Sequence, residues 1–147
     1  MKRRLLLLAA TAFAAMPAFA ADKPHRLALQ ISDDTPEKMN AVLNVAGNVA
    51  RYYGGKGEEI EIRIVAFNAG LNMLRTDRSP VLARLKSISE SLPNVTLEAC
   101  SNTRENMARA ENKKPEEIPL FDNAKLVPSG VVSLIELSEQ GWTVLRP

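Results

Sequence analysis

Cys100 is the only cysteine in a chain of 147 residues, and its neighbours bear on its chemistry. It follows the apolar run Val95-Thr96-Leu97-Glu98-Ala99 and precedes the polar Ser101-Asn102-Thr103. A strand that ends in a loop is where α/β proteins place ligands and reactive groups. Residues 102–111 read as a polar helix. The sulfur then falls near a helix N-terminus, whose partial positive charge favours the thiolate. A thiolate can accept a sulfur atom and carry it as a persulfide. The competing reading is a small apolar filler, because free cysteine is among the most buried residue types. With no second cysteine there is no internal disulfide. Three readings stay open: a buried structural thiol, an intermolecular bridge, and a sulfur that must stay free.

Few other residues have catalytic chemistry. His25 is the only histidine and begins the first strand, at the edge of the sheet opposite Cys100, which makes it structural or incidental. There is no Cys–His pair and no metal-ligand spacing, so neither a zinc site nor a cysteine-protease arrangement is expected, and no cofactor. Asp33 and Asp34 stand before Thr35-Pro36-Glu37 and read as helix-start groups rather than an acid/base pair. Asn40, Asn44 and Asn48 recur every four residues beside Gly47. They form either a solvated helix flank or a subunit interface at which Gly47 permits close approach.

The elements that position Cys100 alternate between strand and helix. Arg26–Ile31 is a strand; Thr35 caps and Pro36 opens a helix running to about Tyr53, with Met39, Val42, Leu43, Ala46, Val49, Ala50 and Tyr53 on its apolar face. Glu58–Phe67 alternates and then turns wholly apolar, a strand entering the core. Ser79-Pro80 opens a second helix. Val95–Ala99, Lys125–Val127 and Trp142–Leu145 complete the strands, and Val131–Gln140 is a last helix that buries Val132, Ile135 and Leu137. Such alternation predicts one parallel sheet of about five strands with right-handed crossovers and helices on both faces. The strand C-termini then share one edge. They deliver Asn68-Ala69-Gly70 with Asn72 beyond, Cys100-Ser101-Asn102, and Pro128-Ser129-Gly130. Asn68, Gly70, Ser101, Asn102, Ser129 and Gly130 are the candidate ligand-binding residues, since small loops let backbone N–H groups approach an anion or a thiolate.

The N-terminus is a separate piece. Lys2, Arg3 and Arg4 precede an apolar run from Leu5 to Ala15, and Ala18-Phe19-Ala20 fits a cleavage site. Residues 1–20 therefore read as a cleavable signal peptide, too short for a membrane span, and residues 21–147 as one exported domain, periplasmic in a bacterium. Three of the 19 basic residues lie in the leader against 17 acidic residues overall, so the remaining chain is nearly neutral. With aromatics at 5% and no basic stripe, a nucleic-acid partner is not expected, nor a membrane partner once the leader is cleaved.

Several ordered segments resemble the DsrE/DsrF-like sulfur-relay family. They are the first strand into Ser32-Asp33-Asp34, the helix segment Leu43–Asn48, the strand end Val65–Leu71, Glu98–Thr103, Val127–Val131, and Gln140-Gly141-Trp142. The resemblance spans about Leu27 to Leu145 and is greatest to the exported single-domain branch. It implies a flavodoxin-like three-layer α/β sandwich without flavin, and a homo-oligomer, trimer or hexamer. It also implies that Cys100 receives persulfide sulfur and passes it on, as a sulfurtransferase-like carrier in sulfur relay or sulfur oxidation. The sulfur donor and acceptor are not implied. The alternative is an oligomeric protein that binds a small anion at the same strand ends, with Cys100 as packing.

Overall fold

The computed structural model describes residues 23–147. The expected signal peptide and its cleavage point lie outside the described residues. Five strands form one sheet: β1 (His25–Ile31), β2 (Ile60–Ala66), β3 (Val95–Cys100), β4 (Ala124–Val127) and β5 (Thr143–Leu145). All neighbours pair in parallel, in the order β4-β3-β2-β1-β5. Four helices connect them: α1 (Pro36–Lys56), α2 (Leu82–Ser91), α3 (Ser101–Ala110) and α4 (Gly130–Glu139). This is the expected flavodoxin-like, three-layer α/β architecture.

Strand order and handedness decide which helix covers which face. From β1 to β4 the chain steps across the sheet in one direction, so right-handed crossovers put α1, α2 and α3 on one face. The step from β4 to β5 runs back past the whole sheet, so α4 falls on the other. The packing follows this rule. On the first face Met39, Val42, Leu43 and Ala46 of α1, Leu85 of α2 and Met107 of α3 pack on Leu29, Ile31, Ile62, Ile64 and Leu97. On the second, Leu134 and Leu137 of α4 pack with Ala28, Val65, Phe67, Cys100 and Trp142.

Local sequence explains the helix ends. Thr35 accepts the Lys38 N–H at 3.3 Å and Pro36 opens α1, where proline's fixed φ is already helical. The helix runs three residues beyond Tyr53, through Gly54 and Gly55. It stops at Gly57, whose φ of 72° closes a left-handed cap. Ser79 and Pro80 do not open α2 as expected. The Ser79 hydroxyl accepts the Val81 N–H at 3.3 Å in a turn, and the helix starts at Leu82. The asparagines of α1 serve neither expected role in full: Asn40 and Asn44 accept from Arg84 of α2, the latter at 2.8 Å, and so join two helices of one chain.

The last helix departs most from expectation. Val132 and Ile135, expected in the core, are 49% and 53% exposed. Among the described residues only α4 covers the second face, so one stripe of it meets the sheet and the rest packs on none of them.

Candidate functional site

Ligands of open α/β sheets bind where the connections of two neighbouring strands leave for opposite faces. Here that point lies between β3 and β4, because α3 goes to the first face and α4 to the second. Cys100 ends β3 at this crevice, paired with Val127 of β4, and its backbone is the N-cap of α3. Ser129 is the N-cap of α4. The two helix starts are held together by the Asn102 N–H, which donates to the Pro128 carbonyl at 3.3 Å. No side chain caps either N-terminus and neither first turn carries an acidic residue. Two helix starts without a side-chain cap therefore meet beside Cys100.

The thiol itself is enclosed. Cys100 is 4% exposed and packs with Ala28, Val65, Phe67, Leu134, Leu137 and Trp142. Sheet alternation puts Glu98 on the same face. Glu98 is 3% exposed; it accepts from the Arg63 guanidinium at 2.9 Å and from the Ser133 hydroxyl of α4 at 2.5 Å. A buried carboxylate needs such partners. Here they pin α4 to the sheet above the cysteine. Arg63 also lies over the Trp142 ring at 4.9 Å, a cation–π contact that closes the far side of the apolar cluster.

The other predicted residues divide in two. Ser101, Asn102, Ser129 and Gly130 join Cys100 at the crevice. Gly130 must be glycine, because an added Cβ would sit 2.9 Å from the Phe67 Cβ. Asn68 lines the neighbouring loop with φ 49°, a left-handed backbone that asparagine tolerates. Its N–H is already given to the Thr103 hydroxyl at 3.0 Å. Gly70 donates its N–H to the Phe67 carbonyl at 3.1 Å and lies against the end of β1, where a Cβ would fall 2.8 Å from the Ser32 Cα. Asn68 and Gly70 thus shape the loop, and their N–H groups are committed within the protein. His25 sits at the opposite edge, stacked on Tyr53 at 4.0 Å and 3.1 Å from Glu58. Among the described residues no three His, Cys, Asp or Glu side chains gather as a metal requires, and no helix is long and apolar enough to cross a membrane.

Sequence reasoning missed two charged clusters. One is Glu98–Arg63–Ser133; its only signal was a glutamate inside an otherwise apolar central strand. The other surrounds Arg75, which is fully buried. Arg75 makes paired bonds to Asp77 (3.0 and 2.7 Å) and to Glu111 (2.6 and 3.2 Å). Glu111 also meets Arg78 at 3.1 Å and Lys113 at 2.9 Å. The Arg75 bonds, then those from Lys113, hold the Glu111 carboxyl down at about 2, and Arg75 lowers Asp77 as well. This cluster ties the 3-10 helix Asn68–Leu74 and its following turn to the end of α3, so it supports the loops around the crevice.

No protein-family model matches the chain, and no curated protein matches it. Among solved structures it is similar to a protein of unknown function, MTH1491 from Methanobacterium thermoautotrophicum. That match has 25% identity and a TM-score of 0.69, and it covers 84% of this chain and 99% of that one. The two chains share the parallel five-stranded α/β fold.

Proposed function

We propose that the chain is an exported sulfur carrier of the DsrE/DsrF-like kind, with Cys100 holding the sulfur as a persulfide. The observation that carries the reading is the position of the lone thiol at the β3/β4 crevice, beside two helix N-termini that no side chain caps. The Cys100 thiolate attacks a sulfane sulfur of a polysulfide or persulfide donor. The donor's S–S bond breaks, the shortened hydrosulfide or thiolate leaves with the electron pair, and a new S–S bond forms on Cys100. No external oxidant is needed, because the sulfane sulfur arrives already at that oxidation level. The N–H groups at the start of α4, on the same face of the sheet as the sulfur, stabilise the anionic sulfur. The apolar wall of Phe67, Leu134 and Trp142 shields it from water, so loading requires α4 to move outward.

Sulfur loading tests this directly. After exposure to inorganic polysulfide and removal of excess, the parent chain is expected to release cyanide-reactive sulfur, and Cys100→Ser to release none. Equal release from both would refute the assignment.

One observation favours a second reading. Cys100 is nearly inaccessible in its apolar cluster, which suits packing in a non-catalytic anion-binding protein. On that reading Cys100→Ser keeps anion binding and the parent thiol resists alkylation in the folded state.

The carrier is further proposed to work as a homo-oligomer, trimer or hexamer. The apolar stripe of α4, Val131, Val132 and Ile135, exposed among the described residues, supports self-association, since contiguous exposed apolar surface marks interfaces. Ile135→Glu is expected to convert the oligomer to monomers by light scattering while circular dichroism stays that of the folded chain. A parent chain already monomeric at high concentration would contradict it.

A further inference from the structure

A second recess lies on the same sheet edge, on the α1/α2 side and apart from Cys100. It is a cleft of about 330 Å³ lined by Asp34, Met39, Asn72, Arg78 and Pro80. Its polar groups are incompletely matched within the protein. The Asp34 carboxylate makes no ion pair among the described residues, whereas its neighbour Asp33 is taken by Arg146 at 2.8 Å. The Asn72 Oδ1 is buried without any hydrogen-bond partner, an arrangement that costs free energy until a donor is supplied. Among the described residues the Arg78 guanidinium pairs only with Glu111, which already serves Arg75 and Lys113. Three cations share the carboxylates of Asp77 and Glu111, so positive charge is left in excess at the Arg78 side.

The cleft therefore offers a carboxylate and a cation between the apolar walls of Met39 and Pro80, with the Asn72 carboxamide in its lining. The Asp34 carboxylate, with the Asn72 oxygen once the carboxamide turns toward the cleft, suits a group with several N–H donors and positive charge, an ammonium. The guanidinium suits a carboxylate, which it can engage through two parallel bonds. We propose that this cleft binds a small zwitterion, an α-amino acid with a short apolar side chain. Its ammonium lies between Asp34 and Asn72, its carboxylate on Arg78, and its side chain against Met39 and Pro80. A turn of the Asn72 carboxamide about its terminal torsion, which is broad for asparagine, presents Oδ1 to the ammonium. This site does not depend on the sulfur-carrier reading, which concerns β3 and β4.

Calorimetric titration of the full folded domain with L-alanine and L-methionine tests it, with propionate and ethylamine as probes that keep only one charged end. Saturable one-site binding of at least one amino acid is expected, with both single-ended probes weaker by about tenfold or more, the worth of one charge-assisted contact. Asp34→Asn and Arg78→Gln, both at exposed positions, are each expected to weaken amino-acid binding by a similar factor. No saturable binding at millimolar ligand, binding as tight with propionate or ethylamine, or unchanged affinity in both variants would each overturn the assignment.

Discussion

Gly70→Ala is expected to destabilise the domain by about 3 kcal/mol, the upper part of the range for forced overpacking. For a domain of this size that lowers Tm by about 10 °C. A methyl group at this position would overlap the Ile31 carbonyl and lie 2.8 Å from the Ser32 Cα. Both are backbone atoms at the end of a central strand, so neither yields as a side chain would. Gly47 is the internal comparison. It lies inside α1 with nothing within 4 Å of an added Cβ, so Gly47→Ala is expected to stabilise by about 0.5–1 kcal/mol through helix propensity alone. Thermal melts of the two variants with the parent check both signs. A Gly70→Ala chain as stable as the parent would mean that the loop after β2 does not pack against β1 as described.

Arg75→Met is the second large effect. It keeps apolar bulk but strips the cation from two carboxylates. Removing one partner of a fully buried pair costs about 3–5 kcal/mol. Asp77 is 36% exposed at its side chain and can rehydrate, which brings the expected loss to about 2 kcal/mol at neutral pH. The pH dependence carries a definite sign. Glu111 has a folded-state value near 2, below its ordinary 4.5, and Asp77 is lowered in the same direction. A carboxyl with a depressed folded value binds fewer protons when folded. Its stabilisation is therefore present above the ordinary value and disappears as pH falls through the folded one. Denaturant titrations of parent and variant should diverge most at neutral pH. The gap should close between about pH 4.5 and about pH 2. A pH-independent gap would assign the loss to packing and not to charge.

Much of this molecule can be read from the chain because its local signals agree with its topology. Thr35-Pro36 sets the start of α1, the alternation from Ile60 to Ile64 marks β2, and the polar turn after Cys100 begins α3 where the helix dipole matters. Once the strands are parallel, their C-termini share an edge, and Cys100 is placed there without any side-chain detail. What the chain hides is pairing across long sequence separations. Glu98 finds Arg63 on β2 and Ser133 on α4, and Arg75 finds Glu111 just past the end of α3, partners that no short-range pattern announces. Glycine spacing also misleads: Gly70 reads as a loop residue open to a ligand, yet it is required by the approach of β1. The α4 error has a similar origin. Val132 and Ile135 fit an apolar periodicity, but how much of a helix is covered depends on how many neighbours its face of the sheet carries, and among the described residues there is none beside it.

The position of Cys100 unites these elements, and its chemistry has one direct test. Intact-mass spectrometry of the folded domain, taken after incubation with inorganic polysulfide and again after a reductant, reads the sulfur itself. A gain of one or more sulfur atoms is expected, mapped to Cys100 by peptide analysis, reversed by the reductant and absent in Cys100→Ser. An unmodified mass in the parent chain, with a thiol that alkylates only on unfolding, would contradict the carrier assignment and leave Cys100 as part of the core beneath α4.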